Sequence, residues 1–598
     1  MLKWDSVFLH TDQGNLVLGY LTLLCFTVPM STVAAIFVYI EPEAAGSGIP
    51  NVKVFLNGCA LRGLGALGLK TLVLKSIGVG LCVCCGFLAG REGPMVQTGA
   101  ILASQMARGF GRDAQEIHLE DGTVRRAPYL LRLLGMDGSL GSHQLHRDFV
   151  SMGCAAGVSA AFIAPIGGVL FSIEEVASYW SSTLTWRTFV CSAVAATTVS
   201  FCSGIFSGHF DDRGQVLFEV GSSGSGYQMW EVGCICAISA VIGGIGALFV
   251  VANKHMTLVW QGWARQIARS PGCCLSPKMF KLVEAVGVIW VCVTVFYWFA
   301  TIFPCRAIGG SAATAEGGAA TDGYTGGSQS AADVYGVNDD ASHFSLNLIR
   351  FHCEPGEHSE MATLLMNPQE GTIVQLYSRG TQGIFGATQL SVFALLYFLT
   401  VCFVYGIAVP AGLFIPTMMS GAALGRLFGE LVVLVVGEEN SDPGLFSLCG
   451  AAAMLGGVTR MTVREHASVP FTAVPCVLTA FQCLTTMHRP HQISVCVIML
   501  ELTNDITLAL PMVLALAMSK AVGDLISDPI YEVHVELMGA PVCNKAMAAA
   551  LPLLSSVTPA AAFREHAKLW TDRLDCSFGL FNALLVLIYF SNSSANLP

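Results

Sequence analysis

Three short glycine-containing runs hold the residues best suited to chemistry: Gly46-Ser47-Gly48-Ile49-Pro50, Gly90-Arg91-Glu92-Gly93-Pro94 and Gly412-Leu413-Phe414-Ile415-Pro416. Each lies inside or beside an apolar stretch, and each predicts a break at which a helix begins within membrane depth. A helix start leaves backbone N–H groups unpaired and carries a partial positive charge. Several starts aimed at one point would hold an anion without a full cationic side chain. Glu92 is the sharpest single residue, because a carboxylate at membrane depth is expensive and marks function by default. At a helix start it would be stabilised as the anion, compete with a permeating anion, and free the site on protonation. The plainer reading is an N-terminal capping carboxylate worth about 1 kcal/mol.

Other candidates surround these runs. The Ser47 hydroxyl can donate to an anion, and its flanking glycines permit close backbone approach; a simple Ser N-cap is the alternative. Leu413 and Phe414 would contribute backbone N–H groups rather than side chains. Tyr531, in Ser527-Asp528-Pro529-Ile530-Tyr531, offers a phenolic O–H near a helix start, although a lone Tyr is commonly an interfacial anchor. Glu174-Glu175 closes the largely apolar run Gly167–Ile173. The pair reads either as a solvated helix end or as a proton acceptor facing water, and spacing does not choose between them.

The elements that must position these residues are membrane helices. Of 598 residues, 53% are hydrophobic and 12% charged, with mean hydropathy +0.62; soluble domains carry about a quarter charged residues. The charge-free runs Asn15–Ile40, Gly233–Ala252, Ala285–Cys305 and Ser391–Gly425 can each cross about 30 Å of hydrocarbon. Pro410 and Pro416 make the last a crossing that breaks and re-enters. Phe149–Ile163 and Val169–Ile173, parted by Ala164-Pro165-Ile166-Gly167-Gly168, repeat the theme of short interrupted segments found in transporters.

A net charge of −10 without a basic stripe argues against nucleic acid as a partner. The 22 cysteines read mostly as small buried residues. Cys82-Val83-Cys84-Cys85 has no second pair to make a zinc or redox site. Cys305 and Cys353 flank a polar loop and can be bridged if that loop faces a lumen. Asn15–Ile40 is too long for a signal-peptide core and lacks a basic flank. Arg108–Arg147 reads as a polar loop, Gly309–Gln329 as a flexible one, and Phe351–Arg379 as an ordered part of the same connection. Phe578–Phe590 is short for a span, and Asn592-Ser593-Ser594 is read as an incidental sequon. HExxH and GxSxG are missing from the sequence and no plausible paired-Asp catalytic motif is seen, so an enzyme is not expected.

With these motifs in this order, the chain resembles the CLC chloride channels and chloride/proton antiporters from about Phe37 to Val542, and within them the endosomal and lysosomal eukaryotic branch. Phe55-Leu56-Asn57-Gly58, Gly157–Glu175, Phe351–Tyr377, Gly421–Phe428 and Gly523–His534 also follow the family pattern. The resemblance implies an all-α polytopic membrane protein, with inverted repeats and broken, re-entrant helices. It implies that Glu92 is the gating glutamate and Glu175 the internal proton glutamate. Ser47, Tyr531 and the backbone of Leu413 and Phe414 match the central anion site, and the backbone around Arg91–Gly93 matches the outer one. Plain channels of the family typically lack an acid at the Glu175 position, whereas antiporters keep it. Ser at position 47 goes with chloride preference, and Pro with nitrate.

The expectation is therefore a homodimeric chloride/proton antiporter with a pathway in each subunit. Chloride, protons and membrane lipid are its partners, with no cofactor and no metal, in an endosomal, lysosomal or vacuolar membrane; an accessory subunit is left open. The alternatives are a passive channel of the same fold and a non-transporting truncated product. The expected layout is a leader over 1–14, a transmembrane domain over 15–541 and a divergent tail over 542–598. Within the domain lie a polar loop at 108–147, a long loop at 306–387 and an aberrant insertion at 463–492. The family normally has a helix before the first span and paired cytosolic CBS domains after the last. Neither pattern is seen here, so nucleotide sensing is not expected. The insertion, Val463–Gln492, parts Gly456–Thr462 from Ile493-Ser494-Val495, which run together in the family. Valine codons begin GT, glutamine can be CAG, and 30 residues make 90 nucleotides, so the segment has the ends and frame of a translated intron.

Overall fold

The computed structural model describes residues 7, 10–11, 15–57, 67–86, 88–108, 143–177, 180–207, 227–269, 276–307, 348–354, 357–379, 385–437, 441–460 and 492–539. The described chain is almost wholly helical. Helix α1 (Leu16–Ile40) turns through a 3-10 segment (Pro42–Ala44) into α2 (Ile49–Leu56), then α3 (Leu69–Cys84), α4 (Glu92–Arg108), α5 (His143–Phe162) and α6 (Pro165–Phe171). A π turn (Ser172–Val176) follows α6, then α7 (Ser182–Ser207), α8 (Met229–Arg269) and α9 (Pro277–Ile302). Strands β1 (Arg306–Ala307) and β2 (Glu357–His358) pair antiparallel and lead into α10 (Glu360–Met366) and α11 (Gln369–Tyr377). The chain continues as α12 (Ala387–Val404), α13 (Phe414–Val436), α14 (Pro443–Thr459), α15 (Ile493–Thr503), α16 (Ala509–Ile526) and α17 (Ile530–Leu537).

Among the described residues, seven stretches are long and apolar enough to cross a membrane: Leu16–Ile40, Thr183–Ile205, Met229–Ile267, Lys278–Ile302, Ala387–Val404, Phe414–Val436 and Ile506–Leu537. Helices α2, α6 and α17, of 8, 7 and 8 residues, are far too short. At about 1.5 Å per residue they reach only part of the way through the hydrocarbon, as broken helices do.

Glycine stripes bring the helices that carry the motifs into backbone contact. A Cβ on Gly421 would lie 2.5 Å from the Gly450 carbonyl, and one on Gly429 would lie 2.7 Å from Pro443 Cα, so α13 and α14 touch along their length. A Cβ on Gly157 of α5 would lie 2.5 Å from the Met95 carbonyl of α4. Membrane helices associate through such small-residue faces, because apolar side chains gain little by leaving lipid.

Two carboxylates cap broken helices reciprocally. Glu501 of α15 accepts from the N–H groups of Ile166 (3.0 Å) and Gly167 (2.7 Å) at the start of α6. Glu174, just after α6, accepts from Ile493 and Ser494 N–H, each at 3.1 Å, and from the Ser494 hydroxyl at 2.5 Å at the start of α15. Each helix start in this pair is thus satisfied by an acid from its neighbour.

Several sequence boundaries move. Residues 1–14 were expected to be a leader, but Val7 and Thr11 are buried, and Val7 packs with Leu23, Tyr297 and Phe351. The polar loop begins no earlier than the end of α4 at Arg108 and ends before α5 at His143. His146 is drawn into α5 by a hydrogen bond to Ser104 (2.9 Å) and an edge contact with Phe55. The long loop contains α10 and α11, as the expected order of Phe351–Arg379 requires, and Cys305 and Cys353 are disulfide-bonded. The interior of the polar loop, Gly309–Gln329, Val463–His491, Phe578–Phe590, Asn592-Ser593-Ser594 and the rest of the tail lie outside the described residues.

Candidate anion site

Each glycine run opens a helix. Gly48 caps α2 with φ +78°, a backbone that a residue with a Cβ adopts only at a cost. Glu92 is the first residue of α4, and Leu413 immediately precedes α13. The runs also meet. Gly90 N–H donates to the Gly412 carbonyl at 2.9 Å, and Gly412 N–H returns a bond to the Gly90 carbonyl at 2.7 Å. Gly46 N–H donates to Val409 at 2.9 Å, three residues before Gly412. A Cβ on Gly93 would lie 2.7 Å from Ser47 Cβ, so the first and second runs touch as well.

Polar atoms at this junction are buried and unpaired. Ser47 Oγ, both carboxylate oxygens of Glu92 and the Tyr531 hydroxyl have no hydrogen-bond partner. Tyr405 approaches Ser47, and the Arg91 and Glu92 N–H groups lie near the Glu92 carboxylate, but no bond of ordinary geometry closes. A buried polar atom left unsatisfied costs about 1–3 kcal/mol. Two hydroxyls and a helix-start carboxylate gathered this way suit an anion, with the carboxylate as its competitor. The Phe414 ring packs against Phe162 (5.7 Å) and Phe171 (5.9 Å), which fixes the start of α13.

The two acids of Glu174-Glu175 separate cleanly. Glu174 is the cap of α15 already described. Glu175 is buried and accepts a hydrogen bond from Lys53 Nζ at 2.9 Å. Tyr531 lies within Coulombic reach of both Glu92 and Glu175. Arg91 turns outward and pairs with Glu370 at 2.7 Å. All eight residues singled out in the sequence, Ser47, Arg91, Glu92, Gly93, Glu175, Leu413, Phe414 and Tyr531, therefore belong to one connected region.

Further residues hold that region in place. Asn253 of α8 donates to the carbonyls of Cys402 (3.1 Å) and Tyr405 (2.6 Å) at the end of α12, and its Oδ1 lies 3.0 Å from His534 Nε2. His534, on the helix of Tyr531, also meets the Tyr405 ring edge-on. Lys75 is fully buried and donates to Gln97, below Gly48. Lys53 had a visible signal, as a solitary cation within an apolar stretch, whereas Lys75 shares its helix with Lys70 and stands out less. Asn253 carries no such signal, since a single amide in a long helix is unremarkable until its partners are known.

Broken helices whose starts converge on buried unpaired polar groups define a polytopic membrane protein with a pocket suited to an anion. The chain belongs to the voltage gated chloride channel family, whose sequence pattern matches residues 30–467. It is 32% identical to the H(+)/Cl(-) exchange transporter 7 of Mus musculus over 543 residues, covering 90% of this chain and 56% of that protein. It is 33% identical to chloride channel protein CLC-d of Arabidopsis thaliana over 536 residues, covering 89% of this chain and 58% of that one. The chain thus spans about half the length of the curated relatives it matches. It shares its fold with a eukaryotic CLC transporter (TM-score 0.52, 20% identity, 89% of this chain and 70% of that one). It also shares it with a slow cyanobacterial Cl-/H+ antiporter (TM-score 0.54, 15% identity, 89% and 93%).

Proposed function

We propose that the protein exchanges chloride for protons through a pathway within each subunit. The observation that carries this reading is the joined set of helix starts with the unpaired, buried Ser47, Tyr531 and Glu92. Chloride binds among the Ser47 and Tyr531 hydroxyls and the N–H groups of Leu413 and Phe414, with an outer position at the backbone of Arg91–Gly93. Glu92 competes for these positions as a carboxylate and leaves them when protonated. Glu175 passes the proton onward, with Lys53 stabilising its charged form. The name H(+)/Cl(-) exchange transporter 7, borne by relatives at 32% identity, supports this reading. A passive channel has no use for a second buried acid at Glu175. Chloride-driven uphill proton movement in liposomes separates the two readings.

The disulfide supports an orientation. Disulfides persist in oxidising compartments, and the Cys305–Cys353 hairpin leads directly into α10 and α11, whose Glu370 pairs with Arg91. We read the Glu92 mouth as facing a lumen or the cell exterior. An endosomal, lysosomal or vacuolar membrane, a homodimer and a role as a transporter rather than an enzyme complete the proposal, with 15–541 as the transporting domain. Localisation of the tagged chain and cross-linking in membranes test the first two. We also read 463–492 as a translated intron. What supports this is that the helix ends on either side lie close together: Gln492, the last residue of the segment and the residue before α15, donates to the Gly456 carbonyl of α14 at 2.9 Å. Uniform presence of the segment in mature transcripts would rule that out.

A further inference from the structure

The exchange reading leaves one charged contact at the pocket's mouth without a role. Arg91 Nη2 and Glu370 Oε1 are 2.7 Å apart, with 37% and 39% of their side chains exposed. Exposed pairs of this kind add little to stability. This one, however, is built on a fixed platform. Glu370 sits in the first turn of α11. The far end of α11 is clamped by the fully buried Arg426, which donates to the carbonyls of Gln375 (3.2 Å), Leu376 (2.9 Å) and Ser378 (3.2 Å). Arg426 belongs to α13, the helix that opens at Leu413 and Phe414. Glu370 therefore ties the second glycine run to the scaffold of the third, beside the residue that precedes Glu92.

We propose that Glu370 is a positioning residue for the outer mouth: by holding and neutralising Arg91, it limits how tightly the mouth captures chloride. The proposal rests on the exchange reading. The charged and titratable groups that bear on Glu92 are Arg91 and Glu370 at the mouth, and Tyr531 from α17 on the inner side. Ser47, which faces it from the first run, is uncharged. With Glu370 neutral, Arg91 adds a full uncompensated cation to the partial positive charge of the α4 start. An anion then dwells longer at the outer position, and the carboxylate form of Glu92 is favoured over its protonated form.

The test is anion and proton flux of the full chain in liposomes, with chloride varied on each side in turn, for wild type, Glu370→Gln, Arg91→Gln and the double variant. Glu370→Gln is expected to lower half-saturating chloride on the disulfide side roughly two- to fivefold, the range of a screened single charge. The pH midpoint of exchange is expected to fall by the same ratio, about 0.3–0.7 pH unit. Both shifts shrink in the Arg91→Gln background, because the effect runs through Arg91. A merely structural role would reduce turnover or thermal stability and leave both midpoints in place. Unchanged midpoints in Glu370→Gln, or equal shifts in both backgrounds, overturn the proposal. A wild type that conducts chloride without moving protons fails the exchange reading instead, and its chloride half-saturation still reports on Glu370.

Discussion

Two acids of the proposed pathway, Glu92 and Glu175, sit in opposite surroundings. Glu92 is buried with both oxygens unpaired, at a helix start whose neighbours are glycines. Glu175 is equally buried but held by Lys53 at 2.9 Å. In the exchange proposed above, a carboxylate without fixed partners loses little by moving, which suits Glu92 to leave the pocket when protonated. A paired carboxylate stays in place, which suits Glu175 to accept and release protons there. The difference separates a gate from a relay, although sequence alone shows two acids within apolar runs.

The largest expected effect comes from removing the solitary acid. Glu92→Ala eliminates proton coupling while chloride still crosses. If the variant still drives protons uphill, the mobile-gate assignment is wrong. Glu175→Gln comes next: proton flux falls at least about tenfold, the consequence of losing a required proton site, and much of the chloride flux survives. Equal loss of both fluxes would make Glu175 structural. Lys53→Met sharpens the contrast more gently. Without its cation, Glu175 holds its proton more tightly, so the pH midpoint of exchange rises; a midpoint that falls or stays put contradicts the pairing.

Glu174→Gln serves as the control for the neighbouring acid. It weakens the cap on α15, with an expected loss of about 1–2 kcal/mol in stability. The number of chlorides exchanged per proton should not change, and a changed ratio would return Glu174 to the pathway. The smallest effect lies outside the membrane. Burial lowers the pKa of His358 in β2, with Glu360 opposing and Arg306 reinforcing the shift. The unfolded hairpin then binds more protons than the folded one once pH falls below about 6.5, so hairpin stability declines on acidification. Hydrogen exchange at Arg306–Ala307 and Glu357–His358 should quicken between pH 7 and pH 5, and His358→Phe should abolish that dependence.

The breaks were legible because their signals are local. Glycine with proline inside an apolar run marks a helix start wherever it occurs, and all three runs open helices as read. The candidate residues inside the three runs shared that local signal, whereas Tyr531 and the choice of Glu175 over Glu174 came only from the family resemblance. What could not be read were relations across the fold. Nothing in Glu174-Glu175 tells which acid finds Lys53 and which finds Ser494, 320 residues away. The Gly90–Gly412 exchange, the Asn253–His534 brace and the burial of Val7 and Thr11 depend likewise on partners distant in the chain.

The most direct test of the gate-and-relay account is simultaneous recording of chloride and pH in liposomes holding the full chain, wild type beside Glu92→Ala. The account predicts that a chloride gradient drives protons uphill in the wild type, and that the variant passes chloride with no proton movement. Uphill proton movement in both, or in neither while chloride flows, would contradict it.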